Sequence, residues 1–376
     1  MRLPGPGSRL GRRISGTAMT HCVMWRRPAS PARRIPERDH TSRARSVTGA
    51  VRRRGRNTTD RLELALAALW LLDGGLQLQP AMFTRRFATH VILPAGYGEP
   101  AVVAGPIHLA GQLILVAPAA FNALFAVTQL AIGVGIVVRR TSRLALAASA
   151  VWSLTVWVMG EGLGGLAAPG AMLLTGAPGA ALIYGVLSVA ALPGHDRPGR
   201  WLRPVWALLW VGGAALQILA GPQAAARAVS ANAQAAPGLL RSVDTAALSV
   251  LPRSGELALA GLVGVQVLVA FAPLVTGRTR AIAVALAVVT PLAFWVLGQS
   301  LGAFWTGVAT DPNAGPAFAL LAVAALVGEH PARRSEWWWR REVWSGVARA
   351  ARDREPFARR PGQTWRAEQV ASSRRT

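Results

Sequence analysis

The chain has 376 residues and a formal charge of +24, from 41 basic residues, all of them Arg, against 17 acids. Such a total ordinarily points to nucleic acid, but 16 of the Arg stand in residues 1–61 and 12 in 329–376, leaving 13 Arg and 8 acids across 62–328. That middle stretch of long apolar runs excludes an ordinary water-soluble domain and predicts an all-α, polytopic integral membrane protein. The lone Cys22 excludes an internal disulfide, a CxxC pair and a cysteine-based zinc site.

Residues 1–61 are rich in Arg, Pro, Ser and Gly and read as a disordered basic arm. They contain no apolar run of signal-peptide length, so an exported precursor is not expected. The arm suits the anionic inner leaflet of a membrane.

A span needs ~20 apolar residues, from about 30 Å of hydrocarbon at 1.5 Å per residue. Eight segments qualify in outline: 62–79, 118–138, 144–161, 174–193, 203–220, 255–276, 281–301 and 312–328. Residues 91–117 are also apolar, but Pro94, Pro100 and Pro106 predict a structured outer loop there rather than a span. With the N-terminus inside, the inner loops carry Arg139, Arg140, Arg143, Arg197, Arg200, Arg278 and Arg280, with Arg203 at an edge. The longer outer loops hold only Arg85, Arg86, Arg227, Arg241 and Arg253. Arg-rich inner loops put both termini in the cytoplasm and the protein in the cell (inner) membrane. Beyond the last span, Trp337-Trp338-Trp339-Arg340-Arg341 and Trp344 predict an interfacial tail over 329–376, with no specific nucleic acid as partner.

The chain repeats itself. Leu69-Trp70 and Leu76-Gln77 recur 140 residues later as Leu209-Trp210 and Leu216-Gln217. Gln129, Ser142 and Arg143 recur at an offset of 137 as Gln266, Thr279 and Arg280. Trp157-Val158-Met159-Gly160-Glu161-Gly162-Leu163-Gly164 recurs at an offset of 138 as Trp295-Val296-Leu297-Gly298-Gln299-Ser300-Leu301-Gly302. Residues 62–193 and 203–328 therefore read as two parallel four-helix units joined by a cytoplasmic linker, 194–202.

In the first unit the segment Gln129-Leu130-Ala131-Ile132-Gly133, then Thr141-Ser142-Arg143-Leu144-Ala145, resembles the DoxX-like four-helix membrane family, whose corresponding pattern is an E-L-x-x-G helix and a G-x-T-R-x-A inner loop. Gly277-Arg278-Thr279-Arg280-Ala281-Ile282-Ala283 resembles the loop in the second unit. The family's acidic position is Gln129 in one unit and Gln266 in the other, and two fused units depart from its usual form. The resemblance implies a quinone- or haem-linked redox role; the residues themselves require no cofactor.

The chemical candidates are few. Asp73 lies roughly 18 Å along its helix from Arg61, inside the hydrocarbon, where an ionisable group is costly and faces a polar interior. Trp70, Asp73 and Gln77 share one helix face, whereas the second unit has Gly213 in place of Asp. Glu161 lies roughly 27 Å from Arg143, at the outer interface, and pairs by the repeat with Gln299. Gly160/Gly164 and Gly298/Gly302 are small-xxx-small pairs suited to close helix approach. Arg85 and Arg86 are outer-face anion candidates. His90 and His108, with Met82, Met159 and Met172 near the same surface, are the metal or haem candidates, at a spacing that matches no known ligand motif. Asp311 reads as a helix cap.

Three functions fit: an accessory component with a partner in a membrane complex, a proton-coupled small-solute transporter using Asp73 and Glu161/Gln299, and a quinone- or haem-linked subunit.

Overall fold

The computed structural model describes residues 61–192, 198–250 and 254–327, with the backbone alone for 198–200. Residues 1–60 of the basic arm, the Trp/Arg tail, Arg197 and Arg253 lie outside the described residues. All regular structure among the described residues is helical. The helices are α1 (61–76), α2 (Ala101–Val116), α3 (Pro118–Val137), α4 (Ser142–Met159), α5 (Ala180–Ala191), α6 (Pro198–Ala220), α7 (Ala224–Ala235), α8 (Gly238–Val250), α9 (Gly255–Ala270), α10 (Arg280–Leu297) and α11 (Ala314–Leu326). Short 3-10, α and π turns occupy 80–96.

Four stretches are long and apolar enough to cross a membrane: Pro118–Val137, Ser142–Met159, Trp201–Ala220 and Gly277–Thr306, the last being α10 with its flanking turns. Only 28–33% of each is buried within the protein. Their outward faces carry Leu124, Val127, Leu144, Val151, Leu208 and Leu219. A helix apolar all round with most of its surface uncovered needs lipid around it.

The segments 174–193 and 312–328 differ from the full-length spans expected of them. Each contains one short helix, α5 with 12 residues and α11 with 13, about 18–20 Å at 1.5 Å per residue. Both are sunk in the protein: Ile183, Tyr184, Leu187, Phe318, Leu321 and Ala322 are almost wholly buried. They pack on each other, and each packs on the helix before it, α4 or α10. Lipid and a protein core select the same apolar residues, so composition alone does not separate a short core helix from a span. The stretch 91–117 also differs, because Ala101–Val116 is a continuous helix through Pro106. Likewise 255–276 yields the 16-residue α9, set at 108° to α8.

Side-chain hydrogen bonds brace this frame. Trp206 Nε1 donates to the Val269 carbonyl at 2.8 Å, tying α6 to α9. Arg280 Nη2 donates to the Leu326 carbonyl at 2.5 Å, neutralising the last turn of α11. Two loops, 160–179 and 298–313, join α4 to α5 and α10 to α11, and both turn through left-handed backbone at Leu163–Gly164 and Leu301–Gly302.

Candidate functional site

A cavity of about 290 Å³ opens among α1, the 80–96 turns, α2, α3, α4 and α5, with Thr310 and Asp311 of the distant 298–313 loop completing its wall. Its polar lining is Asp73, Gln77, Gln129, Thr155, Glu161, Tyr184, Thr310 and Asp311. Trp70, Phe121, Phe125 and Trp152 supply aromatic surface. The volume is about twice that of the ~150 Å³ apolar cavity known to accept benzene, so a ring with a polar substituent fits.

Helical spacing sets up the first wall. Trp70, Asp73 and Gln77 are 2%, 2% and 3% exposed on the inner face of α1 and the turn that ends it. The Asn122 amide donates to the Gln77 carbonyl at 2.7 Å and holds that turn against α3. Tyr184 Oη donates to Asp73 Oδ1 at 3.5 Å. The Tyr184 ring meets Trp70 edge-on, with centroids 5.0 Å apart. Trp70 Nε1 donates to Ser149 Oγ at 2.7 Å, Ser149 and Ser188 share a hydroxyl bond of 2.6 Å, and Ser188 Oγ donates to the Tyr184 carbonyl at 2.7 Å. This closed chain fixes both rings, so the carboxyl and phenol face the cavity from rigid supports.

Several buried polar atoms in the wall have no protein partner: Gln77 Oε1, Gln129 Oε1 and Trp152 Nε1. Unpaired groups of this kind cost about 1–3 kcal/mol each, which a hydrogen-bonding guest would relieve.

Glu161 stands beyond the end of α4, outside the apolar span. Its carboxylate accepts the Ala181 N–H at 3.1 and 3.3 Å, at the second residue of α5. Removal from water pushes this carboxyl up to about 8; the nearby Asp311 charge adds to the rise, and the Ala181 and Ala180 N–H groups oppose it. Burial likewise raises Asp311, against hydrogen bonds from Thr310 and the Asn313 N–H. A carboxyl raised above its unfolded value binds its proton more tightly in the folded state. Its contribution therefore falls as pH rises from the ordinary glutamate value, about 4.3, to about 8. Glu161→Gln keeps the cap acceptor and removes the charge. Thermal unfolding in detergent is expected to lose part of its pH slope over that window in the variant; an unchanged slope counts against the assignment.

The second half provides the contrast. Trp210 and Gln217 are buried as Trp70 and Gln77 are. Yet Gly213 stands at the Asp73 position, and a Cβ there would overlap the Leu173 side chain. Leu173, from the 160–179 loop, fills the space beside Gly213. Gln266 is fully buried beside Gly213 with both amide atoms unpaired. Leu173→Ala is expected to cost about 3 kcal/mol, read as unfolding in detergent. Leu208→Ala, at a side chain 72% exposed, should stay within about 0.5 kcal/mol.

Of the residues singled out from sequence, the fold thus brings Asp73, Gln77, Gln129 and Glu161 to one cavity. Gln266 and Gln299 are not in its lining. Gln299 accepts the Gly315 N–H of α11 at 3.0 Å and donates to the Leu173 and Leu174 carbonyls at 3.3 and 3.5 Å, bracing one loop against the other. Arg85 and Arg86 are exposed in the 80–96 turns. His90 and His108 are exposed too, with His90 Nδ1 2.8 Å from Thr89 Oγ1. Among the described residues no three His, Cys, Asp or Glu side chains stand close enough to hold a metal ion. Sequence reading passed over Tyr184, whose signal was a lone tyrosine in an apolar segment, and gave Asp311 only a capping role.

Fold and site together define, among the described residues, an all-helical protein with helices long and apolar enough to cross a membrane and a buried, mixed polar and aromatic cavity. Comparison with known proteins finds no matching family model, no matching curated protein and no matching solved structure.

Proposed function

We propose that the chain is a polytopic membrane carrier of a small solute, built from two fused copies of one helical unit, with proton coupling at Asp73 in the first copy. The observation that carries the solute site is the convergence of Asp73, Gln77, Gln129 and Glu161 on one cavity whose amide oxygens lack protein partners.

Three paired features support the repeat. The left-handed turns fall at Leu163–Gly164 and Leu301–Gly302. Trp157 and Trp295 each donate their indole N–H to a proline carbonyl, Pro178 or Pro312. Glu161 and Gln299 each accept the second N–H of the following short helix. In this reading α5 and α11 start inside the protein and run to the Arg-rich inner side, so eight crossings and two cytoplasmic termini in the cell membrane remain. The halves then differ in chemistry: Asp73, Ser149, Tyr184 and Ser188 are matched by Gly213, Ala287, Phe318 and Ala322. The polar set is present in one copy and missing as a set in the other, as expected of one working site and one packing partner.

The test is reconstitution in liposomes with an internal pH dye and a panel of solutes under an imposed proton gradient. Solute-dependent proton movement supports the reading. Its absence across the panel, with the protein folded, favours the accessory role in a membrane complex. The DoxX-like resemblance and its redox implication are judged separately. No histidine lines the cavity to ligate a haem iron, and an organic extract carrying stoichiometric quinone would revive that alternative.

A further inference from the structure

Resting on the solute-site reading, we infer that the cavity's ligand is an organic cation, a protonated amine on an aromatic or short apolar body. The lining is one-sided in its chemistry. Its ionisable groups are Asp73 from α1, Glu161 beyond α4, Tyr184 from α5 and Asp311 from the 298–313 loop. The α2 and α3 helices and the 80–96 turns add no titratable side chain to the lining, and no Arg or His enters it.

Two of the three unpartnered lining atoms extend the same pattern; the third, Trp152 Nε1, is a donor. Gln77 and Gln129 are 3% and 6% exposed, and each carries a buried carbonyl oxygen, an acceptor, that has no protein partner. Carboxyl groups lining one space are satisfied by a donor carrying positive charge. The remaining wall fits the body of such a ligand. Phe125 lies edge-on to Trp152 with centroids 5.4 Å apart, and Trp70 with Tyr184 forms the facing wall. Aromatic faces attract cations, most strongly where water is excluded.

The same groups set the coupling. Three carboxyls around one low-dielectric space cannot all be ionised together. A bound ammonium replaces the proton on Asp73 as the neutralising charge, so cation entry releases a proton and cation exit takes one up. Nothing covalent changes.

The experiment uses the full chain in mild detergent, with 2-phenylethylamine and its uncharged counterpart 2-phenylethanol as probes, followed by calorimetry in buffers of differing ionisation enthalpy. The amine is expected to bind at least about tenfold more tightly than the alcohol. Its affinity should rise from about pH 5 to about pH 8, below the amine's own titration, with release of one proton. Asp73→Asn should lose at least about tenfold in amine affinity and lose the proton release while barely changing alcohol affinity. The proton count on unmodified protein tests the inference even if that variant does not fold. Alcohol binding as tightly as amine overturns the cation inference and leaves the solute site standing. Binding of neither probe overturns both.

Discussion

Asp73→Asn is expected to abolish solute-coupled proton movement in liposomes while leaving a folded, monodisperse protein. Asparagine keeps an oxygen to accept the Tyr184 hydroxyl, which donates to Asp73 Oδ1 at 3.5 Å. The Trp70–Ser149–Ser188–Tyr184 chain does not pass through the carboxylate, so the rings keep their supports. What disappears is the ionisable group. Removing it should lower coupled flux by at least about a hundredfold, within the range seen when a positioned acid or base is deleted. Tyr184→Phe provides the graded comparison. Under the proposed repeat Phe318 pairs with Tyr184, so the ring should be tolerated and the flux reduced rather than lost. Full coupled transport in Asp73→Asn would remove the proton-coupled reading.

Gly164→Ala is expected to have the largest effect on stability, about 4 kcal/mol or more, the range reserved for severe backbone conflict. Gly164 has φ +67°, and a Cβ there would overlap the Pro178 carbonyl and the Gly179 nitrogen. Those atoms are backbone and cannot rotate away. The turn also positions Glu161 to cap α5 and brings Trp157 Nε1 within 2.7 Å of the Pro178 carbonyl. Its collapse would therefore open one wall of the cavity. Gly165 serves as the control: it has φ +73° but nothing within 4 Å of a new Cβ, so alanine there should cost only the conformational strain, about 1 kcal/mol. Size-exclusion profiles and thermal unfolding of the two variants separate overlap from strain. Equal behaviour would assign the effect to φ alone.

Much of the site was legible before any coordinates. The i, i+3, i+7 spacing of Trp70, Asp73 and Gln77 placed them on one face, and all three are buried together. An ionisable residue deep in an apolar segment pointed inward for the reason such residues must. The matched Trp-Val-x-Gly blocks flagged two turns that share a left-handed path. The limits were equally physical. Apolar segments 174–193 and 312–328 read as full-length spans because lipid and protein interior reward the same side chains; only their packing shows that α5 and α11 are short helices sunk in the protein.

Local pattern thus determined which faces are apolar, where the charges gather and that Asp73 belongs in an interior. Such features depend on residues a few positions apart, and spacing along a helix carries them. Tertiary structure alone decided that Asp311, some 240 residues away in sequence, closes the wall around Asp73, and that Leu173 fills the space beside Gly213. Both contacts arise where two loops cross between halves, and their geometry depends on how α5 and α11 pack. No periodicity within either segment encodes it.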